Sequence, residues 1–329
     1  MLKGNPEVGL YNRDLPKGCE LCRLGGKLVV YISGICDDDC YYCPVSEERF
    51  RKDVMFANER PARDFEDYLQ EAYRMNALGA GITGGDPVLV IDRTASLITA
   101  FKEYFGTDFH VHLYTSGRYA NYDALSELKR AGLDEIRFHP LREEYWKAVE
   151  KAVKLGMNVG IEVPAIEDFD FRSLIDRAKK IGVRFVNINE LELTPRNFPL
   201  LRVKGHRADH GLAGSRKSHE LAIGVLKAFD NEELSLHYCT SVYKDLVETR
   251  TRFLRTYKVW SYPFEDINPD GTLVRAIVRT NADLSEYGAR TEDGYVVSPS
   301  VLEEIRQKYR VDEVRIVEVL PNDVRVTES

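Results

Sequence analysis

The chain has 329 residues, 43% of them hydrophobic and 30% charged, with a net charge of −7. This length allows one large domain or two smaller ones, and the acidic balance gives no general attraction to nucleic acid. The sequence has no apolar run of about eighteen residues and no apolar signal-peptide stretch, so we predict no membrane span and a cytosolic location. In that compartment cysteines are expected to serve metal or redox chemistry rather than structural disulfides.

From residue 27 to about 193, short β-branched strands alternate with amphipathic helices that end at glycine. Asn121, Asp170 and Thr94 can cap the starts of three of these helices. Counting the opening strand at 27–33, six strands emerge, and alternating elements of this kind favour parallel pairing with right-handed crossovers. Six units are too few for a closed eight-fold barrel, so we predict an α/β fold with a partial (βα)6 barrel; a doubly wound sheet is the alternative. The helices are predicted at 65–78, 95–105, 122–131, 145–155 and 171–181.

The pattern changes after residue 193. Residues 202–219 are polar, basic and glycine-rich, which predicts a long mobile loop, and a helix, a short strand ending at Cys239 and a charged helix follow. From about residue 257 the sequence favours β-strands with one helix near 299–309. We therefore predict three regions: an N-terminal extension with a CxxC pair (1–26), the partial barrel (27–256) and a small, β-rich α+β accessory domain (257–329).

The stretch CDDDCYYC, directly after the first strand, holds Cys36, Cys40 and Cys43. Three closely spaced thiolates suit a soft metal centre. On a 4Fe–4S cluster three cysteines leave one iron open for another ligand, as a catalytic centre requires. The intervening aspartates are expected to project into solvent. A zinc-binding or redox-sensitive knot is the alternative interpretation.

This triple, with an aromatic residue before its last cysteine, is followed by GGDP (84–87) after the second strand. Over residues 27–193 the order of motifs and strands resembles the radical S-adenosylmethionine (SAM) superfamily, and within it proteins related to pyruvate formate-lyase activating enzyme. The resemblance implies reductive cleavage of SAM at a 4Fe–4S cluster, with an electron donor such as a ferredoxin or flavodoxin. The resulting 5′-deoxyadenosyl radical would abstract hydrogen from a substrate.

By this resemblance the cysteine triple holds the cluster, whose open iron chelates the amino and carboxylate groups of SAM. Tyr42 lies against the adenine. Gly84 and Gly85 offer backbone carbonyls to the methionine ammonium, where a side chain would obstruct the approach. Pro87 fixes the turn, and Asp86 belongs to the same SAM-binding motif.

A second group of cysteines comprises Cys19, Cys22 and Cys239. If the strand ending at Cys239 lies beside the first strand, the three thiols can meet. We favour an auxiliary iron–sulfur cluster, with His237, water or a substrate atom as its fourth ligand. A structural zinc site with His237, or a buried inert Cys239, are the alternatives. Activating enzymes with one cluster lack this group, so the chain departs from their simplest pattern.

Polar side chains at the other strand ends should share one rim with these motifs, because the carboxyl ends of parallel strands meet at one edge. Each of these polar residues also has a purely structural interpretation. A hydroxyl can cap its strand end, an arginine can pair with a neighbouring loop, an asparagine can be hydrogen-bonded within the fold, and the 202–219 segment can be a solvated loop. Further SAM contacts are expected from Thr115, Ser116, Glu162 and Asn189. Candidates for substrate binding are Arg137, His139, Glu190, His206 and His210.

Together these features predict a cytosolic radical SAM enzyme with an unidentified substrate. A tRNA- or nucleotide-modifying member is one alternative, consistent with the basic 202–219 segment, but the net charge disfavours RNA as the partner. An activating enzyme for a protein glycyl radical is another. The last alternative, from a different class, is a non-catalytic metal-binding relative.

Overall fold

The computed structural model describes residues 1–265 and 267–328. It contains two compact units, one made of residues 1–72 and 77–249 and the other of residues 73–76 together with the chain from residue 250 onward. The division at residue 249 lies close to the predicted boundary between residues 256 and 257. Within the described residues, no helix has both the length and the apolar character needed to cross a membrane.

The first unit is built on one mostly parallel sheet. In its described residues, seven neighbouring strands pair in parallel in the order β3-β6-β7-β8-β9-β10-β11. The α/β partial barrel is thus confirmed, with one parallel strand more than predicted. The strands are β1 (Lys3–Asn5), β2 (Gly9–Tyr11), β3 (Lys27–Tyr31), β4 (Met55–Ala57), β5 (Arg60–Ala62), β6 (Gly79–Thr83), β7 (His110–Thr115), β8 (Glu135–Phe138), β9 (Val159–Pro164), β10 (Phe185–Asn189) and β11 (Ser235–Cys239).

The strand ending at Cys239 does not lie beside the first strand, the arrangement under which the second cysteine group was expected to meet. β11 lies between β10 and β2, and its residue Cys239 pairs with Gly9 of β2. The edge of the first strand, β3, is instead occupied by the β4–β5 hairpin. The predicted N-terminal extension therefore belongs to the same sheet, through the β1–β2 hairpin.

Helices connect the parallel strands of this unit much as predicted. Asn121 and Asp170 cap α4 and α6 by accepting hydrogen bonds from backbone amides, and Gly132 and Gly182 end these helices in the left-handed conformation. The helices of the unit are α1 (Lys17–Arg23), α2 (Phe65–Arg74), α3 (Ile91–Phe105), α4 (Tyr122–Ala131), α5 (Trp146–Lys154), α6 (Phe171–Ile181), α7 (Phe198–Val203), α8 (Arg216–Ala228) and the single turn α9 (Ser241–Tyr243), which continues as a π-helical segment (Lys244–Thr249).

Two local expectations are corrected. Thr94 does not cap its helix: α3 already begins at Ile91, because Asp86 caps the turn before it by accepting from the Val88 amide. The 202–219 segment is not an open loop. α7 runs into it, α8 begins inside it, and His206, His210 and His219 are at most 3% exposed.

Side chains alternate along the parallel strands and so separate two environments. Val30, Ile82, Leu113, Ile136 and Val186 are fully buried in the hydrophobic core. The residues of the opposite parity are largely polar and line a cavity that the curved sheet encloses. This is the surface on which the predicted site residues meet.

The second unit contains an antiparallel sheet in the order β13-β14-β12-β15-β16. Its hydrophobic core gathers Ala276, Val278, Val297 and Ile305. The β-rich C-terminal region with one helix near 299–309 is thereby confirmed. Its elements are α10 (Arg250–Trp260), β12 (Leu273–Arg279), β13 (Gly288–Thr291), β14 (Gly294–Val297), α11 (Leu302–Lys308), β15 (Glu313–Val319) and β16 (Arg325–Glu328).

Candidate active site

A cavity of about 470 Å³ opens within the curve of the parallel sheet. Strands β3 and β6 to β11 all contribute side chains to it, and α1 contributes two cysteines. Its lining includes Cys19, Cys22, Tyr42, Arg137, Glu162 and Cys239. The second cysteine group and the polar strand residues therefore line one cavity, and Tyr42 reaches it from the loop that carries the first cysteine group.

The cysteine loop after β3 and the TGGDP loop after β6 pack backbone against backbone. The amide of Gly85 donates to the Ser33 carbonyl, and the amide of Asp86 donates to the Ile35 carbonyl, each at 2.8 Å. A Cβ at Gly84 would overlap the Ser33 carbonyl oxygen, and one at Gly85 would overlap that of Ile35. The two glycines are thus required for this close approach, a reason that the motif alone did not supply.

Cys36, Cys40 and Cys43 are free thiols on this loop, each half-buried. Burial, with the charge of neighbouring acidic groups and thiols, raises the pKa of Cys36 to about 11 and that of Cys40 to about 12. Asp38 does not project into solvent as expected. It is buried and accepts a hydrogen bond from Tyr145 Oη at 2.8 Å, which fixes the loop between the first two cysteines.

Asp86 joins the TGGDP loop to the loop after β7. Its carboxylate accepts hydrogen bonds from the Thr115 hydroxyl (2.8 Å), the Ser116 hydroxyl (2.8 Å), the Ser116 amide (3.1 Å) and the Val88 amide (3.1 Å). Thr115 and Ser116, predicted as SAM contacts, therefore direct their hydroxyl protons to Asp86. At this edge of the sheet, Thr115 and Ser116 hold the Asp86 carboxylate in position.

Tyr42 is held at the cavity by His139. The two side chains meet at 2.7 Å between Tyr42 Oη and His139 Nε2, and His139 Nδ1 lies 2.9 Å from the backbone oxygen of Glu162. Because that carbonyl can only accept, Nδ1 carries the proton and Nε2 accepts from the tyrosine. Burial lowers the pKa of His139, which keeps the ring neutral. His139 therefore orients the Tyr42 side chain.

Arg137 and Glu162 form the charged centre of the cavity. Arg137 Nη1 lies 2.9 Å from Glu162 Oε2, and its Nε lies 2.7 Å from Glu135 Oε1. The amides of Asn187 and Asn189 also donate to Glu162, at 3.0 and 2.7 Å. Burial would raise the pKa of Glu162, but Arg137 and the two amides outweigh it and hold that pKa below its usual range. A carboxylate therefore persists inside the cavity.

The second cysteine group also meets at the cavity. Cys19 and Cys22 lie one turn apart on α1, and Cys239 ends β11. Arg137 Nη2 and Asn187 Nδ2 each lie 3.4 Å from Cys19 Sγ. Burial raises the pKa of all three thiols, that of Cys239 to about 12, and the charges of Cys19 and Cys239 contribute to the shift at Cys22.

Comparison with known proteins identifies the family. Residues 30–140 match the model of the radical SAM superfamily. A protein of Methanocaldococcus jannaschii, provisionally named glycyl-radical enzyme activating enzyme, is 37% identical over 325 residues, covering 90% of this chain and 85% of the relative. The chain belongs to the radical SAM superfamily.

Among solved structures, matches are found at low sequence identity. SuiB of Streptococcus suis, solved with SAM bound, is 14% identical with a TM-score of 0.48, and the match covers 74% of this chain and 54% of SuiB. Coproporphyrinogen III oxidase (HemN) of Escherichia coli is 12% identical with a TM-score of 0.39, covering 92% of this chain and 76% of that enzyme.

As a radical SAM enzyme, the chain uses a 4Fe–4S cluster and SAM. The donor set at Cys36, Cys40 and Cys43 fits such a cluster chemically: three free thiols share one half-buried loop, and the TGGDP loop is hydrogen-bonded to the backbone just before it. Iron would offset the burial that raises the pKa of Cys36 and Cys40, because a bound cation favours the thiolate.

Two charged residues that line the cavity of this radical SAM enzyme were not predicted from the sequence. Lys27 is buried at the start of β3 with its Nζ 2.7 Å from the His110 carbonyl, and burial lowers its pKa to about 7. Lys244 also lines the cavity and pairs with Glu192 at 2.8 Å. Strand alternation could have identified Lys27, which shares the parity of the cavity-facing residues. Lys244 lies on a helix, where the sequence offered no such signal.

Of the three substrate candidates outside the charged centre, Glu190 lies at the cavity, whereas His206 and His210 do not. Glu190 lines the cavity and accepts from the Ser241 amide at 2.8 Å. His206 is buried with its Nδ1 2.9 Å from Ser215 Oγ, and His210 is buried against Glu190. Neither histidine belongs to the cavity lining formed by the described residues. A substrate role for these two histidines therefore has no structural support.

Proposed function

We propose that Cys36, Cys40 and Cys43 hold the 4Fe–4S cluster of this radical SAM enzyme and that SAM binds between this loop and the cavity. The observation that carries the proposal is the convergence of the cysteine loop, the TGGDP loop and Tyr42 beside one cavity. Bound together, the cluster and SAM supply a carbon-centred radical able to remove hydrogen from an unactivated carbon. The substrate then occupies the cavity.

The chain's own residues would orient SAM and shield it from water. Tyr42, fixed by His139, presents its ring at the cavity. Gly84 and Gly85 keep the backbone of the TGGDP loop close to the cysteine loop, and Asp86 secures it. The Glu162 carboxylate offers a negative charge for a cationic group of SAM or of the substrate, although Arg137 already balances part of that charge.

For Cys19, Cys22 and Cys239 we propose an auxiliary iron–sulfur cluster at the cavity. The alternative is a zinc ion completed by His237, which also lines the cavity. The position of the three thiols at the cavity, where a substrate would bind, is what favours the cluster over a purely structural zinc ion.

A second candidate function is activation of a protein partner by forming a glycyl radical on it. The name of the archaeal relative, which aligns with 90% of this chain, favours this function. The second cysteine group, which lines the cavity, instead favours a substrate handled directly beside an auxiliary cluster. In either case one-electron reduction requires a donor, for which we propose a ferredoxin or flavodoxin.

The test is formation of 5′-deoxyadenosine by the anaerobically reconstituted, dithionite-reduced full chain, measured by mass spectrometry. The variant Cys40→Ser should reduce this product to the background rate, because the cluster loses a ligand. The matched variant Cys239→Ser should retain substrate-independent SAM cleavage, because its thiol belongs to the other group. Unchanged 5′-deoxyadenosine formation by Cys40→Ser would refute the assignment.

A further inference from the structure

A second kind of ligand cluster lies outside both cysteine groups. It consists of Glu7, His210 and His219, each of which has one ligand atom within 4.8 Å of those of the other two. Glu7 lies in the turn between β1 and β2, His210 lies in the segment before α8, and His219 lies in the first turn of α8. His210 Nε2 lies 3.0 Å from Glu7 Oε2, and His219 Nε2 lies 3.8 Å from Glu7 Oε1. The two imidazoles face each other with ring centres 4.1 Å apart.

Hydrogen bonds on the far side of both rings fix their orientation. His210 Nδ1 lies 2.8 Å from Glu190 Oε1, and His219 Nδ1 lies 2.9 Å from Tyr238 Oη. The Tyr238 hydroxyl and the Ser241 amide donate to Glu190 Oε2, at 3.4 and 2.8 Å. Since Tyr238 gives its one proton to Glu190, its oxygen is left to accept from His219 Nδ1–H.

This chain of hydrogen bonds determines which nitrogen atoms are free for a ligand. With Nδ1 as the donor on both rings, the Nε2 atoms of His210 and His219 face the Glu7 carboxylate, and a cation that displaced a proton there would be met by their lone pairs. Histidines that bind metals characteristically donate the other ring N–H to a carboxylate or another oxygen in this way. The buried polar groups Glu190 and Tyr238 thus act as the support that a metal site needs.

We propose that Glu7, His210 and His219 bind a divalent cation of the zinc type. Two imidazole nitrogens and one carboxylate oxygen are a common zinc ligand set, and they leave a fourth position for water. Both histidines are buried, whereas the Glu7 side chain is 62% exposed, so a cation can enter from solvent. The competing interpretation is a metal-free ion pair in which a protonated His210 bridges Glu7 and Glu190.

The proposed site would connect the N-terminal hairpin to α8. Glu7 lies two residues before Gly9, which pairs with Cys239, and the Thr240 hydroxyl donates to the backbone oxygens of Glu7 and Val8 at 3.2 and 3.0 Å. A cation bound here would therefore fix the β2 edge beside the end of β11. Its ligand set contains no sulfur, which distinguishes it from either cysteine group.

The experiment uses the full chain with its clusters reconstituted anaerobically, incubated with Zn²⁺ and desalted. Zinc, iron and sulfide per chain are measured, together with X-ray absorption at the zinc edge. We expect about one zinc per chain with nitrogen and oxygen scatterers at about 2.0–2.1 Å and no sulfur shell at about 2.3 Å. Glu7→Ala and His219→Gln should lose this zinc with unchanged iron, while Glu144→Ala, at an exposed glutamate elsewhere, should retain it.

Three results would overturn the proposal. A sulfur shell would place zinc on the cysteines, equal zinc in Glu7→Ala and in the control would place it elsewhere, and no zinc retained by the unmodified chain would leave only the ion pair. Because the Glu7 side chain is exposed, Glu7→Ala should fold even if the buried change His219→Gln does not. None of these readouts depends on SAM cleavage, so failure here is separable from failure of the proposed enzymatic function.

Discussion

One carboxylate joins the loops that the proposed SAM site requires. Asp86 Oδ1 accepts from the Val88 amide, Oδ2 accepts from the Ser116 amide, and the hydroxyls of Thr115 and Ser116 complete the set. Burial raises the pKa of Asp86 while these donors counteract the shift. The two hydroxyls can rotate, but the two backbone amides cannot.

This difference predicts graded effects of substitution. Asp86→Asn can accept only one of the two backbone amides, so it should cost about 1–3 kcal/mol of stability, whereas Asp86→Ala leaves both amides without a partner and should cost more. Asp92→Asn, at an exposed aspartate of α3, is the control and should change little. Anaerobic thermal melts and SAM-binding titrations of the three variants measure whether the losses follow this order, with Asp86→Ala the largest and Asp92→Asn the smallest. Equal stability of Asp86→Ala and the control would show that Asp86 does not hold the loops together.

At the scale of elements, α1 determines where two of the six cysteines lie. It presents Cys19 and Cys22 to the cavity, and Gly18 lets it approach the polar strand residues. A Cβ at Gly18 would come within 2.6 Å of Arg137 Nη2 and 2.8 Å of His112 Nδ1. Arg137 cannot move aside easily, because ion pairs with Glu135 and Glu162 hold it.

Gly18→Ala should therefore displace α1 and the second cysteine group. We expect a loss of about 1–3 kcal/mol, as for other overpacked sites, and a loss of iron from that group alone. Gly224→Ala is the matched control, since a Cβ there meets nothing within 4 Å on α8, and it should stabilise the chain by about 0.5–1 kcal/mol. Melting temperature and iron content test both variants. A Gly18→Ala protein as stable and iron-rich as Gly224→Ala would contradict this account of α1.

At the scale of the whole molecule, features with a regular period or a fixed spacing could be predicted. Alternation along the strands and the caps at Asn121 and Asp170 indicated the βα order correctly. The spacing of the cysteines indicated two groups, and the structure brings the members of the second to one cavity. Local patterns suffice here because neighbouring βα units pack next to each other.

Features that depend on contacts between distant segments could not be predicted. The pairing of β2 with β11 joins residues more than two hundred positions apart, and no periodicity in either strand indicates it. The 202–219 segment looked like a solvated loop because its histidines and basic residues are polar. Burial of His210 and His219 depends on Glu7 and Glu190, which a local pattern does not reveal.

The central claim is that two separate groups of cysteines hold iron beside one cavity, and that Cys36, Cys40 and Cys43 form the group that serves SAM. Iron and acid-labile sulfide per chain, measured after anaerobic reconstitution of the unmodified chain and of the variant with these three cysteines changed to serine, test it most directly. The account predicts about eight irons in the unmodified chain and about four in the variant. Iron content unchanged by the triple substitution, or negligible iron in the unmodified chain, would contradict it.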